Sequence, residues 1–282
     1  MKTKDGTTRL QALMADRSRR AEVLAVSSGK GGVGKTNIAA NLAICLAAAG
    51  KRVVLMDADL GLGNLDVIMN VSGRQNLSHV ISGHRTLDEI LQVGPAGVEV
   101  LCGGSGMEEL ANLSRFQRTR LINELATLQE RADVIVIDTG AGIGASVLAF
   151  CQAADHTLVV TTPEPTAMTD AYAVIKVLAG RRYPGRLSLI VNMAESISEG
   201  KKIQQQMAEV VRRFLDTPLY DAGVLCRDDR LVAAVRNREP VVLAYPHARI
   251  TAALVAMTAR LAQGPAAGKT DNFFQKVVNW FF

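Results

Sequence analysis

The chain has 282 residues, 48% of them hydrophobic and 21% charged, with a formal net charge of +5. That is enough apolar material for one large domain with a substantial core, while no apolar run reaches the ~18–20 residues a transmembrane helix needs. Much of the positive charge falls at the start, where Lys2, Lys4, Arg9, Arg17, Arg19 and Arg20 stand against Asp5 and Asp16. Such a tail suits nucleic acid, an anionic membrane or an acidic partner as well as plain solvation. Met1-Lys2-Thr3-Lys4-Asp5 has no apolar h-region, so a cytosolic product without a secretory signal is expected. Cys45, Cys102, Cys151 and Cys226 form no C-x-x-C pair and the histidines no ligand pair, which gives no signal for a cysteine metal site or redox pair.

Beyond residue 20, short β-branched runs alternate with longer amphipathic stretches, the pattern of βαβ units. Strands are predicted at Val23–Ser27, Val53–Met56, Val98–Cys102, Val134–Ile137, His156–Thr161, Leu187–Asn192 and Leu219–Val224. Helices are predicted at Asn37–Ala49, Ser114–Glu130, Ile143–Ala153, Thr166–Ala179, Glu199–Leu215, Asp229–Arg236 and Pro246–Ala262. Several strands are apolar without alternation, as helices on both faces require. The expected fold class is therefore α/β, a mostly parallel β-sheet flanked by helices on both faces. Its domain spans 21–262, between an N-terminal tail 1–20 and a linker 263–270 that leads to a C-terminal helix 271–282.

The first predicted strand feeds Gly29-Lys30-Gly31-Gly32-Val33-Gly34-Lys35-Thr36 and then a helix. This matches G-x-x-x-x-G-K-[ST] at Gly29, Gly34, Lys35 and Thr36. Glycines let backbone N–H groups converge on phosphate oxygens at a helix N-terminus, Lys35 neutralises them, and the Thr36 hydroxyl can ligate Mg²⁺. Further along, Val134-Ile135-Val136-Ile137-Asp138 is an apolar strand ending in an aspartate before Gly140 and Gly142, a Walker B pattern with Asp138 on the metal. Asp57 and Asp59 follow another strand, and strand carboxyl ends line the crevice of such sheets. Asn192 ends a third strand with an amide able to read a base edge, and Asp228 follows the last one. Either residue could equally cap a turn.

The extra lysine, Lys30, makes the loop K-G-G-x-G-K-T. This resembles the deviant Walker A of the MinD/ParA/nitrogenase-iron-protein group, a P-loop NTPase family. The resemblance implies an ATP-sandwich homodimer with ATP and Mg²⁺ as cofactors and Lys30 reaching the partner's nucleotide. It gives Asp57 to the magnesium shell, Asp59 to the attacking water, and Asn192 and Asp228 to adenine. Within the group, the runs Ala58–Asp66, Gly103–Leu113 and above all Glu164-Pro165-Thr166-Ala167-Met168-Thr169-Asp170-Ala171-Tyr172-Ala173-Val174-Ile175-Lys176 resemble the flagellar-number regulators called FlhG, FleN or YlxH. The partners so implied are a flagellar transcription regulator and/or the GTPase FlhF. Of the D-Q-A-x-x-L-R motif that engages FlhF, this chain keeps only Asp5 and Leu10. The alternatives are a ParA-type DNA partitioner and a MinD-type septum regulator; the near-neutral body gives no expectation of specific nucleic acid.

At ~100° per residue, Phe273, Phe274, Val277, Val278, Phe281 and Phe282 fill one side of the C-terminal helix, with Trp280 on the border beside Lys276. This is an interfacial amphipathic pattern. It is expected to attach the protein reversibly to the anionic inner face of the cell membrane, with docking into a groove of its own domain as the alternative.

Overall fold

An apolar strand without alternation still points its side chains alternately to two sides, and both sides must be covered. In the computed structural model Val23, Ala25, Val54, Met56, Ile135 and Ile137 enter one core, whereas Leu24, Val26, Val53, Leu55, Val134 and Val136 enter the other. The structure describes residues 20–59, 63–72, 75–103, 115–263 and 273–280. The tail 1–19 and the segment 264–272 lie outside them.

Eight strands form the sheet: β1 (Glu22–Ser28), β2 (Val53–Ala58), β3 (Gln92–Val93), β4 (Glu99–Leu101), β5 (Val134–Ala141), β6 (His156–Thr161), β7 (Arg186–Ala194) and β8 (Tyr220–Cys226). Their spatial order is β3-β4-β2-β5-β1-β6-β7-β8, and only β3 runs antiparallel to its neighbour. The first core is covered by α5 (Arg115–Arg131), α6 (Ala145–Ala153), α7 (Pro165–Gly180), α8 (Ile197–Leu215) and α12 (Phe273–Trp280). The second is covered by α1 (Lys35–Ala48), α2 (Leu65–Met69), α9 (Asp229–Arg236), α10 (Val241–Ala244) and α11 (Arg249–Gln263). Two short helices, α3 (Leu77–Ile81) and α4 (Leu87–Ile90), lie in the β2–β4 crossover.

Every predicted strand and long helix is present, with ends shifted by a few residues. β3 and the short helices were not predicted, because a run of two to five residues carries no periodicity. Caps define two of them, α3 and α4. Asn76 accepts from Ser78 N at 3.1 Å to start α3, and Thr86 with Glu89 forms a capping box on α4.

His156 opens β6 as a fully interior residue. It is 2% exposed, its Nε2 lies 2.8 Å from Ser188 Oγ, and burial beside Arg186 pushes its pKa down to about 4. A folded-state pKa below the unfolded value means that the unfolded chain binds the proton first as pH falls. The neutral imidazole's contribution is thus complete above about pH 6.5 and erodes toward pH 4, by on the order of 3 kcal/mol in all. Because the raised carboxyls of the sheet edge gain stability over the same window, the expected signature is a difference: between pH 6.5 and pH 4 the chemical-denaturation midpoint of wild type should drop relative to that of His156→Gln.

Candidate nucleotide and metal site

β1 ends at Ser28 and α1 begins at Lys35, so residues 29–34 turn the chain from strand to helix. Gly32 and Gly34 take φ of +78° and +93°, the left-handed region that favours glycine. At Gly34 a Cβ would also stand 2.5 Å from Asn192 Nδ2. This turn aims the open N-terminus of α1 into the crevice at the strand ends, where its unbonded N–H groups and positive dipole end favour an anion. Gly29 is needed for another reason: a Cβ there would lie 2.1 Å from the Asp170 carbonyl oxygen, so the loop is seated on α7.

The acidic groups converge on this loop because β2 and β5 pair in parallel with Asp57 opposite Asp138. Both are 3% exposed. Burial pushes Asp57 up to about 6, opposed by the backbone N–H groups of Asp59 and Leu65 that bond it. Burial likewise pushes Asp138 up to about 7, against a hydrogen bond from the Thr36 side chain and the charge of Lys35. Lys35 is itself lowered by burial, with Asp138 and Asp59 acting in the opposite sense. The Oδ1 atom of Asp138 is buried and has no hydrogen-bond partner.

An orphaned carboxylate oxygen beside a threonine hydroxyl and a phosphate cradle fits Mg²⁺, which takes one or two protein oxygens and leaves its other positions to water and phosphate. Among the described residues there is no group of three or more His, Cys, Asp or Glu that could hold a metal ion by itself. Asp57 is committed to its backbone donors, and a Cβ on Gly63 would press within 2.2 Å of its Oδ2. It therefore suits an outer-shell position, with Asp138 and Thr36 nearest the metal. Asp59 bonds Asp57 Oδ1 through its backbone N at 3.0 Å, and a Cβ on Gly140 would lie 3.5 Å from its Oδ1, so its side chain faces the turn after β5. That turn is tied to the loop by Gly142 N donating to Ser28 O at 2.8 Å.

Beside the start of α1, Gly34, Asn37, Ile38, Asn41, Asn192, Leu225, Leu231, Ile250 and Leu254 line one pocket. Asn192 is buried there and donates through Nδ2 to Val33 O at 2.8 Å. That bond leaves its carbonyl oxygen and a second N–H for a base. Asp228 is not among the lining residues. Its carboxylate caps α9 through Arg230 N at 2.9 Å and holds Ile250 N at 3.3 Å, which joins α9 to α11. The apolar walls from α11 were missed in the sequence; the helical spacing of Ile250 and Leu254 carried the signal, but their approach to α1 is a long-range contact.

Two further expectations concern Lys30 of the loop and the C-terminal helix. Lys30 Nζ lies 2.8 Å from Glu164 Oε2 and 3.3 Å from Thr166 Oγ1, a contact within the chain that the sequence reading had not foreseen. The C-terminal helix packs on α5 and α6: Phe273, Phe274 and Val277 are at most 3% exposed. The Phe273 ring lies 6.4 Å from Phe150 and 4.9 Å from Phe274, the latter edge-on. The side chains of Val278 and Trp280, and Phe281 as a whole, lie outside the described residues.

Comparison with known proteins fits this geometry. A family model described as ParA, NUBPL iron-transfer P-loop NTPase, matches residues 19–262. The chain is 40% identical over 261 residues to the antiactivator FleN of Pseudomonas aeruginosa, covering 91% of this chain and 93% of FleN. It is 38% identical over 226 residues to the flagellum site-determining protein YlxH of Helicobacter pylori, covering 79% and 76% respectively. Among solved structures, the septum site-determining protein MinD of Pyrococcus horikoshii, complexed with Mg-ADP, shares the fold with a TM-score of 0.69 at 22% identity, over 86% of this chain and 96% of that one.

The orphaned oxygen gives Asp138→Asn a distinctive signature. Removing a buried, under-neutralised charge should leave the melting temperature of the nucleotide-free protein unchanged or higher. A ligand at a hundred times its Kd stabilises by ~2.7 kcal/mol, about 5–10 °C for a domain of this size. We expect the wild type to show that rise with Mg²⁺ and ATP, and the variant to lose most of it in a thermal-shift measurement.

Proposed function

We propose, from the premise that the chain belongs to the ParA/MinD family of P-loop NTPases, that it is a Mg²⁺-dependent ATPase that dimerises around ATP and regulates the number or placement of flagella. Its attachment to the inner face of the cell membrane would be reversible and would run through residues 271–282. The observation that carries the flagellar reading is the degree of likeness to FleN and YlxH, 40% and 38% identity, against 34% and 31% for the MinD proteins of Synechocystis and Bacillus subtilis.

Each residue has a task in this reading. The backbone N–H groups of Gly31, Gly32, Val33 and Gly34 with Lys35 hold the phosphates, Thr36 and Asp138 hold Mg²⁺ with Asp57 behind them, and Asn192 takes the adenine edge. Bound there, Mg²⁺ would offset the charge that builds on the phosphate oxygens. Asp59 orients the attacking water, and Lys30 crosses to the nucleotide of a second copy. A flagellar transcription regulator or the GTPase FlhF is the partner class. The iron transfer in the family description has little to act through, since the four cysteines form no pair in sequence.

The C-terminal helix supplies the membrane step. Burying two Phe and one Val gains ~1.5–3 kcal/mol each, while ordering its eight residues costs ~1 kcal/mol or more apiece. The two are of similar size, so the docked helix is held by a small margin, and the same apolar face can lie on lipid instead. Two copies in a dimer bind together with the avidity that one lacks.

Wild-type protein should co-sediment with anionic liposomes in Mg²⁺-ATP and not in ADP. Removing residues 271–282 should abolish this while the protein still melts cooperatively, and Lys35→Ala should lose both ATP hydrolysis and liposome binding. Undiminished liposome binding without residues 271–282 would refute the attachment. A null strain with normal flagellar number and position would refute the biological role, and salt-dependent DNA retention with ATP would favour partitioning instead.

A further inference from the structure

The extra lysine of the loop has a partner in its own chain. Lys30 Nζ is 2.8 Å from Glu164 Oε2 and 3.3 Å from Thr166 Oγ1, on the first turn of α7. Three features preset this contact. Ser28 Oγ donates to Lys30 O at 2.7 Å and fixes the lysine's backbone. Gly29 sits on Asp170 with no room for a Cβ, so loop and helix are held together. Glu164 occupies the N-cap position of α7 yet makes no capping bond there, and its carboxylate goes to the lysine instead. The Lys30 hydrogen bond keeps that carboxylate below its usual range, hence ionised at neutral pH.

We propose that Glu164 and Thr166 form a latch that holds Lys30 within its own subunit and must open before two copies close around nucleotide, so that they set the concentration at which the protein dimerises. This rests on the reading that Lys30 acts on a second copy's nucleotide. The two positions exclude each other for an electrostatic reason. An ammonium on the partner's phosphates could stay 2.8 Å from Glu164 only if that carboxylate also approached the phosphates, and like charges oppose it. The latch is shallow: the two side chains are 41% and 60% exposed. An exposed pair of this kind shifts an equilibrium by about 1.5- to 5-fold. Two latches open per dimer, so the dimer constant carries the square of that factor, roughly 2- to 30-fold.

Sedimentation equilibrium of the full chain with Mg²⁺ and a non-hydrolysable ATP analogue tests the proposal. Glu164→Gln should lower the dimer dissociation constant by about 2- to 30-fold. Thr166→Val should lower it by less, in the same direction. Glu164 is exposed, and a thermal melt matching wild type would confirm that the variant is folded. If wild type dimerises and Glu164→Gln does so no more readily, the latch is wrong and the dimer reading stands. If wild type stays monomeric at every concentration, both fall.

Discussion

The pairing of Asp57 with Asp138 on neighbouring parallel strands is the constraint on which the site depends. The register that packs Val54 and Met56 beside Ile135 and Ile137 also places two carboxylates side by side at the sheet's carboxyl edge. Burial in this crevice makes each carboxyl resist ionisation, and for Asp138 the neighbouring charges of Asp57 and Asp59 add to it. Burial also lowers the pKa of the nearby cation, Lys35, while Asp138 and Asp59 act to raise it. The cluster is thus short of positive charge, and a divalent cation would suit it. The apolar registers on either side hold the two carboxylates in this arrangement.

The same sheet explains how a tail can be docked without being indispensable. The core beneath α5 and α6 is closed by Leu121, Leu125, Leu128 and Phe150 as well as by Phe273 and Phe274. The C-terminal helix thus adds a last layer to a core already assembled. Its floor is also close to the site in the chain: β5 carries Asp138, and α6, which carries Phe150, follows after a short turn containing Gly142 and Gly144. Gly142 N donates to Ser28 O at the end of β1, so that turn joins the start of the loop to the helix under the tail.

Much of this was legible in the sequence, and what was not has a common cause. The P-loop, the strand ending in Asp138 and the apolar stripe at Phe273–Val277 are local patterns, readable from the spacing of a dozen residues. The crossover helices α3 and α4 were missed because their signal is a cap rather than a period. The pocket walls from Ile250 and Leu254 required knowing that α11 crosses α1. Asp228 illustrates the converse. Its place after the last strand suggested the base, but an aspartate before a helix has backbone donors within immediate reach, and here these engage both of its oxygens.

Lys30 marks where pattern and geometry meet. The family resemblance implied a second chain as its partner, while its charge alone fitted a solvated loop lysine equally well. The run Glu164–Lys176 stood out separately, as a family likeness without a physical role. The structure brings the two together across 134 residues: the first turn of that run is where the loop's lysine rests. A helix that carries Glu164 at its cap position, Pro165 at its first turn and a backbone carbonyl against Gly29 is shaped by the loop it supports. The loop and that helix therefore form one functional unit, and substitutions in either are best judged against the Lys30–Glu164 contact.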